Sequence, residues 1–399
     1  MTEVLYQDRR RILSSKINAP IVLTAHGSMQ AKSDMAYKFT QEPSFLYFTG
    51  IDDQNWKLIF DTKSWHLVRP SVSTTQQIFD GSLSDDEAKQ ASGVTSVISP
   101  QDFKEMLKSL AHTHSRVATI GEDPMKKYYE FAQNPAQASL RRLLRSHFSE
   151  IVDCRDAVRK MRAIKSDEEI ALMRKAIDVT IEAFAQVKNN LAHYSHEYQI
   201  EAYFNSAFRE TGAQGHAYDP IVAAGAHACT LHYAKNQAAL PSNGLVLIDI
   251  GAQYGGYAAD ITRTYALGEP TARESQVHKS VEAAHKKITS LIKPGLSFAA
   301  YHSQVDEIMK HALIELGLIK SEKDDASYRK YFPHAVGHGL GIDVHESLGG
   351  YDEFKPGMVL TVEPGIYIPE DGIGVRIEDD ILVTASGNEN LSADLPTSL

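Results

Sequence analysis

Apolar residues recur along this chain in two textures. Up to about residue 150 they form short runs at Ile21 to Thr24, Phe45 to Phe48, Trp56 to Phe60 and Trp65 to Val68, each of strand length and rich in aromatic or β-branched side chains. Stretches with helical spacing around Asp102 to Leu110 and Ala138 to Ser146 alternate with them, which predicts a small α/β domain. The texture then changes. Ile170, Met173, Ile177, Ile181 and Phe184 recur at helical intervals behind Ser166 and Glu169, whose spacing is that of a capping box. A boundary near residues 158 to 166 follows, with domains at 1–158 and 159–399. The length of 399 residues also exceeds what a single core usually supports.

Three further amphipathic helices are predicted at roughly 196 to 211, 272 to 292 and 299 to 316, stopped by Gly212, Pro294-Gly295 and Gly317. Strand pairs lie between and after them, 245 to 250 with 257 to 266 and 358 to 363 with 374 to 383. Helices in blocks alternating with hairpins, without a regular βαβ rhythm, predict an antiparallel-rich α+β domain. The strings GLVLIDIG and GMVLTVEPG resemble each other, so a weak internal repeat is expected, each half giving one carboxylate near the end of its first strand and another on its second.

Within these strands sit residues that carry chemistry. Asp249, Asp260, Glu363 and Glu378 each lie in or beside an apolar, β-branched stretch, where an unpaired buried charge costs several kcal/mol. With His338 they form the donor set that a pair of adjacent divalent cations requires. The turn Gln253-Tyr254-Gly255-Gly256 is expected to set Asp249 opposite Asp260 on neighbouring strands. Strand alternation puts Thr262 and Thr264 on the Asp260 face, and Arg376 and Asp380 on the Glu378 face. His338 is bracketed by Gly337 and Gly339, which would let the backbone come close to a metal. Singly, each acid has an ordinary explanation as a turn former, a strand terminator or a solvated edge. His334, His338 and His345 could likewise mark an exposed helix face, but Gly337, Gly339 and Gly341 make a helix costly at about 1 kcal/mol each, and a loop holding imidazoles inward is expected. Oxygen-rich ligation with one imidazole ranks Mn²⁺ ahead of Co²⁺, Zn²⁺ or Fe²⁺. Two such ions can activate water and polarise a carbonyl, which is hydrolysis of an amide or ester.

Composition narrows the alternatives. The chain is 43% hydrophobic and 23% charged, and 41 Lys+Arg against 51 Asp+Glu give a formal charge of −10, which argues against a nucleic-acid partner. Cys154 and Cys229 form no CxxC pair, so neither a disulfide scaffold nor a zinc-cysteine site is expected. The start MTEVLYQDRRRIL is charged where a signal peptide is apolar, and no apolar run approaches bilayer length, so a cytoplasmic protein without membrane contact is expected. GHGLG does not match GxGxxG, and there is no P-loop, GxSxG or recognisable Cys-His context.

Taken in order, LHYAKN, LIDIGAQYGGYAADITRT, HAVGHGLGIDVHE, GMVLTVEPGIYI and GVRIEDD resemble the dimetal pita-bread peptidases of the aminopeptidase P, prolidase and methionine aminopeptidase group, densely over about residues 160 to 396. YKFTQEPSFLYFTG, residues 37 to 50, is similar to the N-terminal domain of aminopeptidase P. The resemblance implies two divalent ions. Asp249 would chelate one, His338 and Glu363 the other, and Asp260 and Glu378 would bridge them. It further implies a metal-bridging hydroxide with Glu363 as proton carrier, His345 stabilising the oxyanion, His232 contacting the substrate on the proline side, His334 in support and Arg376 orienting Glu378 or meeting substrate. The implied reaction is removal of an N-terminal residue that precedes proline from peptides, with self-association into a dimer or tetramer. Two other readings share parts of the pattern. A Xaa-Pro dipeptidase would have every ligand, and the short connection 364 to 377 resembles compact prolidases; a non-catalytic pita-bread binding protein would normally lack the ligand set.

Overall fold

A computed structural model describes residues 3–123 and 131–399. The chain divides into two compact units, Met1–Met161 and Arg162–Leu399. The first is built on a mixed sheet in the order Ser96–Ile98, Trp65–Val68, Lys57–Phe60, Ile21–Thr24, Arg116–Thr119, Glu150–Asp153. Pro100–Thr113 and Ala136–Arg145 are helices, and Phe103, Leu107, Leu140 and Leu144 pack on Val22, Ile59, Val68 and Val117. One expected strand is absent. Phe45 to Phe48 belongs to the helix Pro43–Thr49, because Glu42 caps it through Phe45 N, Pro43 fits its first turn and Gly50 ends it at φ 66°. A short apolar run has too few residues for its period to separate strand from helix.

The second unit is α+β as expected. Its helices Asp167–Asn189, Ala272–Leu291 and Phe298–Glu315 start at Ser166, Thr271 and Ser297, and Ser166 and Thr271 complete capping boxes with Glu169 and Glu274. The helix Glu197–Glu210 lies where periodicity put it. Val277, Val281, Ile288, Val305, Met309 and Leu313 form one core with Leu360, Val362, Ile366, Val375, Ile377 and Ile381 of the strands. Fully burying a side chain of this size contributes roughly 1.5–3 kcal/mol, so this face fixes the strands that carry the acids.

Both expected strand pairs break into shorter pieces. Gly244–Asp249 pairs with Thr262–Leu267 and with Ile221–Ala224, while Ala252–Tyr254 forms a separate hairpin with Tyr257–Ala258 across Gly255 and Gly256, both at positive φ. Likewise Val359–Val362 pairs with Asp379–Val383, and Gly365–Ile368 with Ile373–Arg376. The breaks fall at the acids. Among the described residues both cysteine thiols are free, and no helix is long and apolar enough to cross a membrane.

Candidate metal centre

Asp249 ends the Gly244–Asp249 strand opposite Thr262, not opposite Asp260 as expected. Asp260 sits instead in the irregular link between Tyr257–Ala258 and Thr262–Leu267. The cause is a close crossing: a Cβ on Gly251 would stand 1.7 Å from Ala259 O, so the two segments touch there, flanked by the hydrogen bonds from Ile250 N to Ile261 O at 3.1 Å and from Ala259 N to Ala252 O at 2.9 Å. The Asp260 amide released by this bend donates to Asp380 Oδ2 at 3.1 Å.

Glu378 occupies the corresponding break in the second half, between Ile373–Arg376 and Asp379–Val383. An isolated β-bridge, Thr262 to Glu378, links the halves: Glu378 N donates to Thr262 O at 3.1 Å, and Thr262 Oγ1 donates to Glu378 Oε2 at 2.6 Å. Glu363 follows the Val359–Val362 strand and is held by its amide on Val336 O at 2.8 Å. The arrangement matches the repeat seen in the strings, with one acid at a strand end and one at a strand break in each half.

The loop from His334 to His345 forms no helix. Gly337 and Gly339 do allow close approach, but to protein backbone: added Cβ atoms would lie 2.1 Å from Thr361 O and 2.6 Å from Glu346 O. His338 is thereby laced to Thr361, its N donating to Thr361 Oγ1 at 3.1 Å while Thr361 N donates to His338 O at 2.8 Å. Its Nε2 then lies 3.5 Å from both Asp260 Oδ2 and Glu363 Oε1. Ligand atoms of Asp260, His338 and Glu378 all fall within 4.8 Å of one another, a spacing one cation can span.

Asp249 is engaged differently. Its Oδ1 accepts from Tyr218 Oη at 2.6 Å, and its Oδ2 pairs with Arg376 Nη2. Arg376, fully enclosed, also donates to Tyr367 Oη at 2.9 Å and through Nε to Thr262 Oγ1 at 3.2 Å. Tyr367 Oη in turn meets His334 Nε2 at 2.8 Å. Arg376 therefore orients Asp249 and Tyr367, and it also lies near Glu378, as expected, sharing Thr262 Oγ1 with it.

Burial pushes the Asp260 and Glu378 carboxyls well above the usual carboxylate range, with neighbouring acids adding to the effect, Asp249 for the first and Asp260 for the second. Burial likewise raises Glu363 to about 8 against the opposing pull of Arg376. It lowers His334 and His338 to about 4, so both imidazoles are neutral and able to act as donors to a cation. The acids outnumber the one guanidinium among them, and a divalent cation is the charge that this set fits.

His345 stands with its ring edge-on to His338, centroids 4.4 Å apart. His232 lies in the turn that follows the short helix Gly225–Cys229, and burial first, with His232 next, lowers the pKa of His345. Beneath the 339–346 loop, Glu346 is buried between Arg162, at 2.5 Å from Oε1, and Lys165, at 2.8 Å from Oε2, and Arg162 also reaches Asp343 at 2.7 Å. Tyr218, Tyr367 and Glu346 were not foreseen, whereas Asp380 was expected beside Glu378. Tyr218 carries no sequence signal, but Tyr367 lies in a strand beside a predicted ligand, and Glu346 directly follows His345.

Comparison with known proteins agrees with this geometry. The pattern of metallopeptidase family M24 matches residues 171–385, and that of the aminopeptidase P N-terminal domain matches residues 6–119. The Xaa-Pro aminopeptidase of Escherichia coli strain K12 is 32% identical over 98% of this chain and 94% of its own. A solved structure of aminopeptidase P from E. coli with the inhibitor Pro-Leu superposes with a TM-score of 0.87 at 30% identity, covering 100% of this chain and 96% of that one. The Xaa-Pro dipeptidase of Pyrococcus horikoshii is 35% identical, but over only 59% of this chain and 64% of its own. The α+β pita-bread architecture and the family expected from the sequence are both borne out: this chain belongs to the M24 metallopeptidases, in the aminopeptidase P group.

Proposed function

We propose that the chain is a Xaa-Pro aminopeptidase working with two divalent ions, Mn²⁺ foremost, held by Asp249, Asp260, His338, Glu363 and Glu378. The observation that carries the metal reading is the convergence of Asp260, His338 and Glu378 donor atoms within 4.8 Å, in a buried site with surplus negative charge. When bound, such ions supply an acidified water and a Lewis acid for the scissile carbonyl. The remaining work falls to this chain's side chains. Glu363, with Oε1 3.5 Å from His338 Nε2, can accept a proton and deliver it to the departing proline nitrogen. His345, edge-on to His338, can donate to the oxyanion. His232 contacts the peptide on the proline side, and His334 is steadied by Tyr367. Arg376 pairs with Asp249 and keeps it aimed.

The match across the N-terminal unit, together with full-length likeness to aminopeptidases, supports that activity over a dipeptidase. The contact division at Met161/Arg162 supports domains at about 1–158 and 159–399. Self-association into a homo-oligomer is part of the same proposal, checked by sedimentation. The deciding experiment measures hydrolysis of a Xaa-Pro-Xaa tripeptide and a Xaa-Pro dipeptide with added Mn²⁺ and after chelation. Tripeptide cleavage that chelation abolishes is expected. Cleavage of the dipeptide alone would make the chain a prolidase, and metal binding without any cleavage would leave a binding protein.

A further inference from the structure

Residues 224–238 carry His232 and, after the short helix Gly225–Cys229, contain no further helix or strand. Their shape comes from elsewhere. Glu197, the first residue of the helix Glu197–Glu210, is 0% exposed, and its carboxylate collects donors from this segment alone. Oε1 accepts from Ala224 N at 3.0 Å and meets His227 Nδ1 at 3.2 Å, while Oε2 accepts from Tyr233 Oη at 3.0 Å and Ala238 N at 2.9 Å. Glu197 N returns a bond to Ala238 O at 3.0 Å. The rings of His227 and Tyr233 stack at 4.4 Å across the ends of these bonds.

A buried carboxylate is expensive, and what it offers in exchange is four acceptor sites on two oxygens. Here all four sites are filled from the two flanks of His232. A glutamine could fill only half of them and would turn its NH₂ toward one backbone donor that cannot reverse. We infer that Glu197 is a positioning residue for substrate binding, gathering residues 224–238 into the one shape that presents His232. The inference rests on the reading of His232 as a peptide contact.

The test uses Glu197→Gln, Tyr233→Phe and His232→Ala, with each of the first two also combined with the third. Readouts are kcat and KM on a Xaa-Pro-Xaa tripeptide with Mn²⁺, metal content, and the melting curve. Tyr233→Phe, which deletes one hydrogen bond and keeps the ring, is expected to raise KM about two- to tenfold with kcat and metal content unchanged. Glu197→Gln is expected to raise it further, and neither should add to His232→Ala, because all three remove the same contact. If His232→Ala leaves KM unchanged, the reading of His232 fails and the inference with it. If His232→Ala raises KM while the other two do not, or if their effects multiply on the His232→Ala background, the inference alone is overturned. Should Glu197→Gln not fold, Tyr233→Phe carries the same comparison.

Discussion

Replacing Glu346 with alanine removes a carboxylate wedged between Arg162 at 2.5 Å and Lys165 at 2.8 Å, beneath the loop that bears His338 and His345. Lys165 and Glu346 are buried at 5% and 7% relative exposure, so the change strips two enclosed cations of their shared partner, and only Arg162 keeps an ion pair, with Asp343 at the cluster's edge. Breaking a buried pair from one side costs about 3–5 kcal/mol, since the surviving charge stays desolvated. At roughly 2–4 °C per kcal/mol for a domain of this size, Tm should fall by about 6–20 °C by calorimetry. Arg162→Met, Lys165→Met and Glu346→Leu together should recover most of that loss, because no charge is left stranded. The pH dependence has a definite sign. Arg162 and Lys165 hold the Glu346 carboxyl below its ordinary value against its burial, so its stabilisation is complete above the unfolded pKa and disappears as pH falls through the folded one. The gap between wild type and Glu346→Ala must therefore narrow in acid. A Tm loss under about 3 °C at neutral pH, or a gap that does not change with pH, would refute the reasoning.

Asp260→Ala should lose bound metal by elemental analysis, whereas His345→Ala should retain it and lower kcat by about 10²- to 10³-fold; a fully active His345→Ala would remove its oxyanion role. Gly251→Ala drives a methyl group to 1.7 Å from Ala259 O, and the resulting shift of Asp260 should lower metal content as well as Tm, with unchanged metal affinity counting against the close-crossing argument. Chelated protein should lose stability as pH rises from about 6.5 toward 9. Glu363 is raised to about 8, so its contribution is full below the ordinary carboxylate range and is lost as pH passes 8, while His334 and His338, lowered to about 4, stop adding stability once pH exceeds about 6.5. Metal-loaded protein should lack this decline, and equal slopes in the two forms would show that the acids are not the metal's seat.

Much of the site was legible because its residues are anomalous where they stand. Four acids in β-branched strands and a histidine among glycines conflict with simple core patterning, and each lies at the centre described here. The helices of the second unit were legible for the opposite reason, since caps at Ser166 and Thr271 and stops at Gly212, Gly295 and Gly317 agree with their periodicity. What escaped was set by tertiary contact. The contact of Gly251 with Ala259 shifts Asp260 out of the ladder, and no local property of either residue announces it. Arg376 reaches Asp249 across 127 positions, and Tyr218 reaches it from a segment without a period. Phe45 to Phe48 misled because caps on both sides outweighed the β preference of its aromatic rings.

The Thr262–Glu378 bridge between the halves has a consequence for how the protein acquires its metal. Neither strand ladder alone contains the full donor set, so a chain with one half formed has no complete receptor for a divalent ion. Assembly must precede loading, and the donors are gathered by long-range pairing, the slow kind in folding. The ions then act as a late lock on a finished structure, slowing its opening far more than they hasten its formation. A cell could thus make this protein in full before choosing the metal it carries.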